Sequence, residues 1–117
     1  MQYAVADRES YTAQIKEVME AEKNVIDARD MLLTDNVMLI DVRSPEQFEK
    51  RNIANSINIP LSRISQDMPK LDVKKTYLLI CNDGVLSRQA LKVFEACRFK
   101  SHVIRGGMQD WMRVFGV

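Results

Sequence analysis

Tyr77-Leu78-Leu79-Ile80-Cys81-Asn82-Asp83-Gly84-Val85-Leu86-Ser87 is the stretch on which the fold turns. Its first five residues are apolar at every position rather than every second one, the pattern of a strand covered on both faces. A short loop with one glycine follows, and Ser87 is placed to cap a helix on which Ala90, Val93, Phe94 and Cys97 recur at i, i+3, i+4 and i+7. This is a strand, a tight loop and a helix. Working outward, Val37-Met38-Leu39-Ile40 is a second continuous apolar run, ended by Asp41, and His102 to Ile104 is a third strand. Ser44, Pro45 and Glu46 read as a cap with proline at the first helical position, giving a helix to about Arg51. Ile57 and Ile59 flank Asn58 in a short strand stopped by Pro60. Leu61 to about Met68 reads as a weak helix, Pro69 to Lys75 as a basic connector, and Met108 to Phe115 as a final helix after the turn at Gly106-Gly107.

Upstream, Asp7 to about Lys23 is charged and free of glycine and proline, with Ile15, Val18 and Met19 at helical spacing. An amphipathic N-terminal helix is expected there. Val25 and Ile26 are expected to form a brief edge strand, with Asp27 capping a helix from Ala28 to Leu33. Strands alternating with helices at this spacing predict α/β architecture with a parallel sheet.

The 117 residues suit one hydrophobic core. A composition of 46% apolar and 28% charged residues excludes a disordered chain, and no apolar run is long enough to span a membrane. Met1 to Asp7 carries no secretory pattern and two cysteines are too few for a disulfide scaffold, so a reducing cytoplasm is the expected setting. Residues 1–30 hold seven acids and four bases, the remainder nine and thirteen. Neither part is basic enough to suggest nucleic acid.

In an open parallel sheet, ligands bind beyond the carboxyl ends of strands, where loops enter helices. Cys81 stands at such a place. Backbone N–H groups of a loop curling into a helix point at a central site and stabilise an anion there, which favours a thiolate nucleophile. The alternative reading of Cys81 is a small buried hydrophobe closing a core strand. Cys97, on the apolar helix face with no loop after it, reads as core. The sixteen-residue spacing of the two cysteines and the lone His102 form no metal pattern.

Three groups of residues together resemble the rhodanese-like family. They are Asp41-Val42-Arg43 with Pro45-Glu46, Phe48, Ile53 and Ile57-Asn58-Ile59-Pro60; then Cys81, Gly84, Ser87, Ala90 and Leu91; then Gly106-Gly107 with Trp111. The resemblance covers roughly Val25 to Phe115. It implies a five-stranded parallel sheet with helices on both faces over residues 25–117; the amphipathic helix read over 1–24 is an addition that this core does not require. It also implies a sulfurtransferase in which Cys81 takes up sulfane sulfur as a persulfide and passes it to a nucleophilic acceptor. Asn82, Asp83, Gly84, Val85, Leu86 and Ser87 would cradle that sulfur through backbone N–H groups. No cofactor or metal is implied. The expected partners are a small sulfur donor or a persulfide-carrying protein.

Departures from the family pattern shape the expectation. The loop arginine common in active members is replaced by Leu86, and Asp83 adds a negative charge, so thiosulfate is expected to be a poor donor. Arg88, in the first helical turn, is either a rim residue or a solvated helix residue. Asp41 and Arg43 are read chiefly as a structural ion pair, with a supporting role at the pocket as the alternative. A cysteine phosphatase needs arginine where Ser87 stands. The competing class is a degenerate sensing or docking module, whose N-terminal helix could pair with another copy or join a larger polypeptide.

Overall fold

A computed structural model describes residues 21–116. The chain runs β1 (Glu22–Lys23), α1 (Val25–Met31), β2 (Val37–Asp41), α2 (Pro45–Lys50), β3 (Ile57–Asn58), α3 (Ile64–Asp67), β4 (Thr76–Ile80), α4 (Val85–Ala96), β5 (Lys100–Ile104) and α5 (Gly107–Phe115). Short 3-10 turns at Leu61–Arg63 and Met68–Lys70 bracket α3. The five strands form one parallel sheet in the order β1-β5-β4-β2-β3. The expected α/β architecture is present.

Alternation along the strands divides the core into two layers. Ile40, Val42, Tyr77, Leu79, Cys81 and Val103 face α3 and α4, where they meet Ile64, Ala90 and Phe94. Leu39, Leu78, Ile80 and Ile104 face α1 and α5, where they meet Ala28, Met108 and Trp111. β4 lies at the centre and every one of its residues is buried, as its unbroken apolar run required. From β2 the chain leaves toward one edge of the sheet and from β4 toward the other, so the carboxyl ends of these neighbours flank a topological switch point.

Several local expectations change. The edge strand is Glu22–Lys23, not Val25–Ile26: Glu22 pairs with Val103, and the Lys23 carbonyl accepts the Arg105 N–H. Asn24 is the reason, because its side chain accepts the Asp27 N–H at 2.8 Å and starts α1 at Val25, three residues earlier than expected. An outermost strand tolerates charged residues that a central strand would not. The helix expected over 7–23 therefore gives way to strand at its end, and its residues up to 20 lie outside the described part.

The expected weak helix at Leu61–Met68 is a single α turn between two 3-10 turns. α4 is capped by Gly84 rather than Ser87, and it ends at Ala96 rather than near Arg98. Arg98 has φ 63°, which turns the chain toward β5. Cys97 is thereby carried off the apolar face to an exposed position, which corrects its reading as core. Asn55 adopts φ 67°, the conformation its side chain tolerates better than most.

Candidate functional site

Cys81 immediately follows the last residue of β4, so the central strand aims it at the mouth of the loop. It is a free thiol and fully buried. Gly84 takes φ 95°, a left-handed turn that bends the loop back over the cysteine before α4 begins at Val85. The bend brings the Gly84 N–H to 3.1 Å and the Ser87 N–H to 3.3 Å from Cys81 Sγ. Ser87 Oγ lies 3.4 Å away on the same sulfur. Ser87 is thus a buried wall of the thiol site.

These donors sit at the positive end of α4, and together they stabilise negative charge on sulfur. Asp83 acts against them. Its Oδ1 lies 4.0 Å from Sγ, where it accepts from the thiol, and it is held by the Val85 N–H at 3.0 Å. Asn82 is half-buried, whereas Val85 is 60% and Leu86 40% exposed, so the outer rim of the loop is apolar.

Arg88 does not supply the missing cation to the loop. Its guanidinium pairs at 2.5 Å with the carboxylate of Glu22 on β1. Glu22 has no motif to announce it, and only the pairing of β1 beside β5 brings it to α4.

Asp41 ends β2 and Arg43 follows two residues later, at the same sheet edge as Cys81 but on the opposite face. Asp41 pairs with Ile80 in register, and alternation then turns Asp41 toward the α1 and α5 side while Cys81 faces α4. The Arg43 guanidinium grips both Asp41 oxygens, at 3.0 Å from Nε and 2.7 Å from Nη2, and also donates to the Arg51 carbonyl. Asn58 Nδ2 donates to the backbone carbonyls of Asp41 and Arg43. The pair is buried and fastens β2, β3 and the end of α2 together.

The Gly106-Gly107 segment lies closer to the loop than a simple turn would. Both glycines have positive φ, 78° and 58°. The Met108 N–H donates to the Cys81 carbonyl at 2.8 Å and the Gln109 N–H to the Asn82 carbonyl at 2.9 Å. Among the described residues no cluster of three His, Cys, Asp or Glu side chains suits a metal ion.

A model of the rhodanese-like domain matches residues 12–113. The chain belongs to the rhodanese-like family. The protein named "Putative sulfurtransferase YtwF" from Bacillus subtilis (strain 168) is 31% identical over 104 residues, covering 89% of each chain. A tRNA sulfurtransferase from Haemophilus ducreyi is 34% identical over 88 residues, which is 69% of this chain and 18% of that much longer protein. The crystal structure of a rhodanese-related protein from Thermoplasma volcanium superimposes with TM-score 0.75 at 29% identity, over 80% of this chain and 92% of that one. Such relatives support sulfur transfer as the general activity of this rhodanese-like domain. Among its described residues no helix is long and apolar enough to cross a membrane.

Proposed function

We propose that the domain transfers sulfane sulfur through a persulfide on Cys81. The observation that carries this reading is the pair of backbone N–H groups, from Gly84 and Ser87, converging on a buried Sγ at the N-terminus of α4. A thiolate held there attacks the outer sulfur of a donor. A new S–S bond forms on Cys81, the donor's own bond to that sulfur breaks, and the electron pair leaves with the donor as sulfite or a thiolate. In the return step an acceptor thiolate attacks the outer sulfur and Cys81 departs as thiolate. No net oxidant or reductant is consumed. The S–S bond is about 2 Å long, so the transferable sulfur stands that much nearer the rim than the buried Sγ.

Donor choice follows from charge. Asp83 at the mouth and the exposed Val85 and Leu86 disfavour a dianion such as thiosulfate and suit a persulfide on a small thiol or on a protein. The test is intact-mass measurement after incubation with thiosulfate, glutathione persulfide, or a cysteine desulfurase with cysteine, using Cys81→Ser as control. Loading adds one sulfur, about 32 mass units. The proposal holds if the wild type gains this mass with a persulfide donor and the variant does not. Failure with every donor would leave the docking-module reading, which the exposed apolar rim favours.

A further inference from the structure

We infer that Gly107 and the first turn of α5 are positioning elements for the Cys81 loop, an inference that rests on the sulfur-transfer reading. Two of the loop's N–H groups, those of Gly84 and Ser87, point inward at Sγ. The loop's outward face is its carbonyls, and α5 holds two of these in sequence. Cys81 O accepts from Met108 and Asn82 O from Gln109, at 2.8 and 2.9 Å. Planarity makes each held carbonyl fix a whole peptide, 81–82 and 82–83, so α5 sets the position from which the chain turns through Asp83 into the Gly84 N–H.

This grip requires the backbones to approach closely. A methyl group on Gly107 would overlap the Cys81 carbonyl oxygen and lie 2.7 Å from the Asn82 carbonyl carbon and 2.8 Å from its oxygen. Gly107 also holds φ 58°, a conformation L side chains seldom adopt. Gly84 meets the same segment, since a methyl group there would lie 3.4 Å from the Gly106 N. The turn that opens α5 and the loop that opens α4 therefore form one packed unit. Cys81 lies in the layer facing α4, while α5 covers the opposite layer, so α5 acts on the sulfur only through the backbone.

Two variants test the inference. Gly107→Ala forces the loop away from α5. Replacing the Gln109 backbone amide by an ester, through incorporation of the α-hydroxy acid, deletes one donor and adds no bulk. For each, the rate of Cys81 persulfide loading from glutathione persulfide is measured beside the pH profile of Cys81 alkylation, with exposed Cys97 in the same molecule as reference. Loading is expected to slow on the order of tenfold to a hundredfold for Gly107→Ala and less for the ester. The Cys81 profile is expected to move toward higher pH while that of Cys97 stays fixed. A folded Gly107→Ala protein with wild-type loading and an unmoved Cys81 profile overturns the inference. Should Gly107→Ala fail to fold, the ester decides on the same two readouts. A wild type that never loads sulfur defeats the sulfur-transfer reading instead, and the alkylation profiles still report on the loop.

Discussion

Two corners of the sheet stand side by side and do opposite things. β2 and β4 are parallel neighbours ending at the same edge, with Asp41 opposite Ile80. At the end of β2, Arg43 donates to both Asp41 carboxylate oxygens and the pair is buried, and further bonds to Arg51 and Asn58 close the corner. At the end of β4, a single polarisable sulfur is met by donors with little to bond until negative charge develops there. A saturated corner holds structure and an unsaturated one holds reactivity. One step of the strand pleat separates them, because adjacent positions face opposite layers.

Replacing Cys81 by Ser is expected to have the largest effect. Persulfide loading is abolished, as read by intact mass, while the serine oxygen can still accept from Gly84 and Ser87. A variant that still gains one sulfur would move the chemistry away from this corner. Arg43→Ala follows, since it leaves the buried Asp41 carboxylate without its partner. A loss of about 3–5 kcal/mol in urea unfolding is expected. The remaining folded fraction should load sulfur at the wild-type rate, and slower loading there would mean that the two corners are coupled.

Asp83→Asn removes a carboxylate 4.0 Å from Sγ. Unit charges at that separation in water interact by about 1 kcal/mol, so loading from thiosulfate should rise roughly fivefold. Loading from cysteine persulfide, a donor of lower negative charge than thiosulfate that leaves as cysteine thiolate, should rise less, and an unchanged thiosulfate rate would show that Asp83 does not act by charge. The smallest effect is expected for Glu22→Gln, which loosens a partly exposed ion pair with Arg88 at a cost of up to about 1 kcal/mol in thermal unfolding. It leaves Arg88 uncompensated near the loop helix, and thiosulfate loading should rise by less than for Asp83→Asn. A fall would show that the pair supports the loop instead.

Much of the fold was readable in the chain because its informative residues act locally. The unbroken run at Tyr77–Ile80 demanded a strand covered on both sides, and Ser44 before Pro45 starts α2, with its side chain accepting the Gln47 N–H. Gly84 marked the turn that Cys81 needs. Local signals failed where a distant partner decided the outcome. Glu22 and Lys23 read as helix because they end a charged run free of glycine and proline, yet β5 offers an open edge and takes them as strand. Cys97 completed an apolar stripe on paper, but α4 stops one residue short of it and the turn at Arg98 exposes it.

What the sequence by itself determined is the order of elements, the sheet's buried centre and the residue at its reactive edge, because hydrophobic periodicity and turn chemistry are properties of neighbouring residues. The tertiary structure decided which groups meet at that edge. It set Asp41 and Arg43 on the face away from Cys81, tied Arg88 to Glu22 and laid α5 against the carbonyls of the loop. Such meetings depend on strand order and pleat, and residues far apart in the chain carry no local sign of them.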